Sequence, residues 1–256
     1  MPKDYCPFCP SFGNVPDYEV LEYDNDFPAL SQNPPEPDEG IANDFFKVKP
    51  SYGKCEVILY SPGHTVTMPE LSYDHMKKLV DLWCERFNVM RSDEKIKYVF
   101  PFENRGEVVG VTMPHPHGQI YGYSFVPKKL QLELKSSGEY YAEKGRCLFC
   151  DMLAEEQKFG QRVIFQNEHF TVYLPFYCEY PYGVYIMANR HVQYITDLTE
   201  EEKYTLGVTI RDTVGMLDSL FDYRFPYMMC MHNAPVNGED TSDYYPVSYT
   251  HLTLPT

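Results

Sequence analysis

Five consecutive residues, His115-Pro116-His117-Gly118-Gln119, concentrate more reactive chemistry than any other run of this 256-residue chain. Two histidines at i and i+2 on extended backbone point to one face, so both can address one site. A small twist at Pro116 would send one histidine to a metal and the other to a substrate. A neutral imidazole is a good nucleophile toward phosphorus near neutral pH, and the phosphoramidate it forms can pass its group on. Gly118 allows close backbone approach with its N–H toward a phosphate, and Gln119 offers an uncharged amide donor to a phosphoryl oxygen. A lone histidine is more often a hydrogen-bonded core residue. The composite run is what argues for chemistry.

Cysteine is the second reactive type. Of eight cysteines, four form two CxxC pairs, Cys6/Cys9 and Cys147/Cys150, and Cys55, Cys84, Cys178 and Cys230 are dispersed. In a reducing compartment this spacing points to metal rather than to disulfides. Neither pair follows an apolar strand-like run, as a redox CxxC would.

The elements that must position these residues form a degenerate repeat. Cys6-Pro7-Phe8-Cys9 opens the first half and Cys147-Leu148-Phe149-Cys150 the second. Asn25-Asp26-Phe27 begins 16 residues after Cys9, and Asn167-Glu168-His169-Phe170 begins 17 after Cys150. Each half then has a strand-like run ending near a histidine, His64 or His191. Seven residues further on lie Leu71-Ser72 and Leu198-Thr199, whose Ser and Thr suit the N-caps of helices over about 73–91 and 200–221. Strands are expected near 18–23, 55–60, 98–103, 119–125, 162–165, 171–174, 183–188 and 227–232. The pattern predicts an α+β fold in which tandem repeats build a largely antiparallel sheet flanked by helices. The repeats are taken as residues 1–135, which contain the nucleophile, and 136–246. Residues 34–44 read as a surface loop, and residues 131–145 as a charged connector.

Composition narrows the function classes. The formal net charge is −15, with scattered Lys and Arg, which argues against a nucleic-acid partner but not against a mononucleotide. No apolar run reaches the ~20 residues of a membrane span. The first residues lack the apolar core of a signal peptide. A cytoplasmic protein with no membrane partner is expected. The terminal run Val247-Ser248-Tyr249-Thr250-His251-Leu252-Thr253-Leu254-Pro255-Thr256 resembles translated sequencing adapter, so residues 247–256 are expected to be non-native. His251 is given no role.

The His-x-His-x-Gln run resembles the signature of the histidine-triad superfamily, and Gln in the third place resembles its galactose-1-phosphate uridylyltransferase branch. Phe102-Glu103-Asn104-Arg105-Gly106, Ser61-Pro62-Gly63-His64, Pro69-Glu70-Leu71, Asn25-Asp26-Phe27, Ser124-Phe125-Val126-Pro127 and the stretch His232 to Gly238 fit the same family. The matches run from Cys6 to about Asp240. The resemblance implies a Leloir-pathway nucleotidyltransferase. Its substrates would be UDP-glucose and galactose 1-phosphate, and UMP would pass through a covalent intermediate on His117. Gln119 would assist, Asn104, Thr112 and Gln119 would hold the UMP phosphate, and Asn25, Asp26 and Phe27 the uridine. Ser and Cys are expected at positions 112 and 111, where this chain has Thr112 and Val111; threonine keeps the hydroxyl. A homodimer with shared sites is implied, and the aromatic stretch Tyr173–Tyr185 suits an interface, a ligand wall or a core segment equally. The family's N-terminal arginines would precede Met1 and its hexose contacts would follow Thr256, so the resemblance implies clipping at both ends.

Cys6, Cys9, His64 and His115 form a Cys₂His₂ set suited to a closed tetrahedral Zn²⁺, and the resemblance gives the same four. For a second metal, iron or zinc, two ligand sets stand. Glu133 and His232 match an iron-type site whose other ligands would form a His-x-His just beyond position 245. Alternatively, Cys147, Cys150 and His191 would repeat the first site, with the fourth ligand near Pro246, 55 residues past His191 as His115 is 51 past His64. Two other functions remain: a histidine-triad nucleotide phosphorylase or hydrolase, for which Gln119 is the wrong third residue, and an inactive zinc-stabilised nucleotide-binding fragment.

Overall fold

A computed structural model describes residues 2–12, 14–178, 180–246 and 248–252, the last stretch as backbone. Nine strands form one sheet in the order β1-β2-β4-β3-β8-β9-β7-β6-β5, and every named pairing is antiparallel. The strands are β1 (Leu21–Asp24), β2 (Gly53–Leu59), β3 (Tyr98–Arg105), β4 (His117–Tyr123), β5 (Val163–Gln166), β6 (Phe170–Tyr173), β7 (Val184–Ala188), β8 (Tyr227–His232) and β9 (Ser248–Leu252). The helices are α1 (Tyr73–Arg91), α2 (Lys128–Lys144), α3 (Leu148–Phe159) and α4 (Glu200–Asp218).

The repeat is visible in the strand order. Reading inward from either edge, the first half contributes β1, β2, β4, β3 and the second β5, β6, β7, β9, β8. The halves join where β3 pairs with β8, Phe102 opposite Cys230. Ser248 thus starts β9 as His117 starts β4. Strand pairing uses backbone groups, so this ladder position does not depend on which side chains residues 248–252 carry.

α1 and α4 pack together on one face of the sheet. Their apolar stripes, Met76, Leu79, Val80, Trp83 and Phe87 on one and Leu206, Ile210, Val214 and Leu217 on the other, close over Ile58, Val99, Ile120 and Val172 in one core. The Ser72 and Thr199 hydroxyls accept from the N–H groups of His75 and Glu202, capping both helices as the sequence predicts. α4 stops at Asp218, three residues before the predicted end.

Two helices correct the sequence reading. The charged connector is helix α2, and α3 follows directly, ended by Gly160 at φ 72°. Both were obscured because Lys, Glu and Gln favour helix by propensity while their burial is too small to print a clear apolar period. Leu153 and Phe149 of α3 pack on Tyr173, Tyr185 and Met187, on the face opposite α1 and α4. The corresponding face of the first half is partly covered by the N-terminal segment, where Cys6, Phe8, Cys9 and Val15 pack on Val57 and Leu59. That leaves the outward side chains of β4 at an open surface. The aromatic stretch 173–185 divides: Tyr173 and Tyr185 are core, whereas Phe176 is 81% exposed and Tyr177, Tyr180 and Tyr182 are partly so. No helix among the described residues is long and apolar enough to cross a membrane.

Candidate active site

β4 alternates buried and half-buried residues from its first position. His117, Gln119 and Tyr121 therefore share the open face, while Gly118 and Ile120 turn toward the helices. His115 lies just before the strand, and its ring turns to the cysteines instead of running alongside that of His117. Its Nδ1 is 3.7 Å from Cys6 Sγ and 3.6 Å from Cys9 Sγ. His64 Nδ1 is 3.3 Å from Cys9 Sγ. One donor atom from each of Cys6, Cys9, His64 and His115 lies within 4.8 Å of every other, and three of the four residues are buried.

Two thiols and two imidazoles converging at these separations suit a tetrahedral divalent ion. The outer layer fits as well: His115 Nε2–H donates to the Ser61 carbonyl at 2.9 Å, with the Tyr18 hydroxyl 2.7 Å away. That bond fixes the tautomer leaving Nδ1 as a ligand. Burial first, then the neighbouring Cys6, push the Cys9 thiol up to about 11. A thiol so reluctant to ionise alone gains most from a cation.

His117 donates from Nδ1 to the His115 carbonyl at 2.8 Å. Nε2 is then the ring's lone-pair nitrogen. Burial lowers the pKa of His117, against a smaller opposing effect of that bond, so the ring stays neutral below the range of an ordinary imidazole. His117 borders a cleft that Asn104 and Thr112 also line. Gln119 stands one step along the same face. Its Oε1 accepts from Tyr121 Oη at 2.9 Å and from Asn25 Nδ2 at 3.3 Å, which turns the amide N–H groups away from both partners. Asn25 Oδ1 also accepts from the Phe27 N–H, Asp26 accepts from Tyr23, and the Phe27 ring is 92% exposed.

One expectation changes its reason. A Cβ on Gly118 would lie 2.1 Å from Tyr60 Oη and 3.0 Å from the Phe102 carbonyl. Glycine is required here by packing on the helix side of the sheet, not by an approaching phosphate. Gly118→Ala should cost about 1–3 kcal/mol of stability, the usual penalty of an overfilled core. Tyr60→Phe in the same chain should recover most of it, and a denaturant midpoint unmoved by Gly118→Ala would refute the contact.

Both readings of the second metal site find partial support. Cys150 Sγ is 3.2 Å from His191 Nδ1, and Cys147, Cys150 and His191 present donors within 4.8 Å of one another. A hydrogen bond from Cys150, with His191 beside it, lowers the Cys147 thiol below its usual range. Pro246 borders the small cavity next to Cys150, where the repeat places a fourth ligand. Separately, His232 Nδ1 is 3.5 Å from Glu133 Oε2, which also accepts from Tyr245 at 2.6 Å. Burial opposes ionisation of Glu133, but His232 and Tyr245 hold its carboxyl below the usual range.

Sequence reasoning passed over Tyr60, Glu103 and Arg224, which also line the cleft. Glu103 was detectable: in an alternating strand, a neighbour of Asn104 must face the opposite, buried side.

Comparison with known proteins fits this geometry. A model of the N-terminal domain of galactose-1-phosphate uridyl transferase matches residues 3–127, and a model of its C-terminal domain matches residues 133–255. The chain belongs to the galactose-1-phosphate uridylyltransferase family. A galactose-1-phosphate uridylyltransferase from Thermotoga maritima is 35% identical over 95% of this chain and 76% of its own length. One from Haemophilus influenzae is 30% identical over 93% of this chain and 69% of its own. A solved uridylyltransferase mutant superposes with a TM-score of 0.90 at 32% identity, covering 98% of this chain and 79% of that one. An ADP-glucose phosphorylase from Arabidopsis thaliana, at 21% identity and a TM-score of 0.83, shares the fold. Members of this family are nucleotidyltransferases.

Proposed function

We propose that the chain transfers UMP between hexose 1-phosphates, with His117 as the group that carries it. His117 Nε2 attacks the α-phosphorus of UDP-glucose, the bond to the bridging oxygen breaks, and glucose 1-phosphate leaves. A phosphate oxygen of galactose 1-phosphate then attacks the uridylyl-histidine, giving UDP-galactose and free His117. The observation that carries this reading is the 2.8 Å bond from His117 Nδ1 to the His115 carbonyl. It presents the unprotonated Nε2 in the ground state, and the carbonyl dipole stabilises the positive ring that forms on attack. Gln119 and Thr112 supply neutral donors to the phosphoryl oxygens, Asn104 orients the phosphate, and Asn25, Asp26 and Phe27 receive the uridine. The test is to label the protein with UDP-glucose and offer galactose 1-phosphate or water. Release of UMP to water alone would make it a hydrolase instead.

Zn²⁺ at Cys6, Cys9, His64 and His115 would be structural. It would hold His115, and through the His115 carbonyl the tautomer of His117. We assign the second site to Cys147, Cys150 and His191, because three donors converge there against two at Glu133 and His232. The chain is read as two repeats, 1–135 and 136–246, in a cytoplasmic homodimer. Exposed Phe176, Tyr177, Tyr180 and Tyr182 give the second half an apolar surface suited to such an interface. Sedimentation at micromolar concentration should show a dimer, and a monomer with undiminished turnover would remove the shared-site reading.

A further inference from the structure

Glu103 lies between Phe102 and Asn104 on β3 and turns its carboxyl to the helix side of the sheet, where it is buried. Oε1 accepts from Tyr227 Oη at 2.8 Å. Oε2 is buried with no hydrogen bond of its own, and so is Tyr60 Oη. Tyr60 and Glu103 line the same cleft wall, and the Tyr60 hydroxyl is close enough to the carboxyl to lower its pKa against the effect of burial. Buried polar atoms are nearly always paired, so two orphans side by side mark a bond that a small shift opens or closes.

Tyr60 connects this pair to the nucleophile. Its N–H donates to the Pro116 carbonyl at 3.0 Å, and its hydroxyl lies against Gly118 closely enough to exclude a Cβ. It therefore touches the residues on both sides of His117. We propose that Glu103 is a positioning residue for the reaction, acting through Tyr60 on the Pro116–Gly118 backbone that carries His117. This rests on His117 as the UMP acceptor. Trp83 of α1 meets the Tyr60 ring edge-on at 6.0 Å.

The titratable and charged groups facing Glu103 are Tyr60 just after β2, Tyr227 on β8 and Arg105 on β3. The Arg105 guanidinium is itself engaged by Asp218 of α4 and by the Phe225 carbonyl. Burial dominates over all three and pushes the carboxyl up to about 7. A neutral carboxyl can donate to the Tyr60 hydroxyl, whereas a carboxylate can only accept from it. Protonation of Glu103 therefore opens a second orientation to the Tyr60 hydroxyl.

The experiment measures single-turnover uridylylation by UDP-glucose across the neutral pH range for the parent, Glu103→Gln, Tyr60→Phe and the double variant. Histidine ring resonances are followed by nuclear magnetic resonance in parallel. Glu103→Gln keeps the shape and the acceptor for Tyr227. Each single variant should slow uridylylation on the order of 10- to 100-fold, the scale of a small misplacement of a reacting group. Each should also lose the titration near neutrality and move the His117 ring resonances, but not those of His169. The double variant should be no slower than the slower single. Parent-like rates and pH profile in Glu103→Gln, or defects that multiply in the double variant, would overturn the proposal. If the parent takes up no UMP, the reading of His117 fails, while the ring resonances still decide the coupling of Glu103 to His117.

Discussion

Replacing His117 with glycine should abolish the UMP adduct and lower turnover by ~10⁴-fold or more, the scale seen when a covalent catalyst is removed. Mass analysis after incubation with UDP-glucose should place one UMP on the parent, at His117, and none on the variant. The size follows from the chemistry: the variant loses the imidazole whose lone-pair nitrogen is fixed by the bond to the His115 carbonyl at the edge of the cleft. The pH dependence carries a second check. Burial lowers the pKa of His117, so its neutral fraction should persist as pH falls through 6.5, where an ordinary imidazole is half protonated. Its contribution to uridylylation should hold through that pH and fall only below it. An equal adduct in the glycine variant would place the nucleophile elsewhere.

Removing the proposed metal ligands should have the next largest effect. A Cys6→Ser/Cys9→Ser variant should lose the zinc of the N-terminal site, and chelation of the parent should lower its melting temperature. If free zinc stands 1,000-fold above its dissociation constant, binding contributes about 4.1 kcal/mol of stability. At about 2–4 °C per kcal/mol for a chain of this class, that is a shift of about 8–16 °C. The consequence should reach the chemistry, because Cys6 and Cys9 share a core with Phe8, Val57 and Leu59, and the Phe8 ring lies 5.8 Å from His115 and 5.9 Å from His117. Undiminished zinc in the double variant would dismiss this site. A fall to half would show that Cys147, Cys150 and His191 hold metal too.

The sequence by itself determined the elements whose signals are local. α1 spans 73–91 as read, because an apolar residue recurs every three or four positions and Ser72 supplies a cap. The strands carrying Val57, Val99 and Ile186 were evident from their β-branched and aromatic residues. Spacing also brought the two CxxC pairs into register with His64 and His191, since a metal site demands particular donor types wherever the chain places them.

Only the tertiary structure decided what depends on long-range neighbours. α2 and α3 have weak periods because each buries a narrow stripe, and their partners, His232, Tyr173 and Tyr185, lie on distant strands. The reason for Gly118 lies in Tyr60, 58 residues earlier in sequence. The turning of His115 toward sulfur and the bond that sets the tautomer of His117 arise from a break in extended backbone just before β4. An i, i+2 pattern shows that two side chains share a face. Which nitrogen of each ring meets a metal, a carbonyl or a phosphorus depends on the groups that folding packs around them.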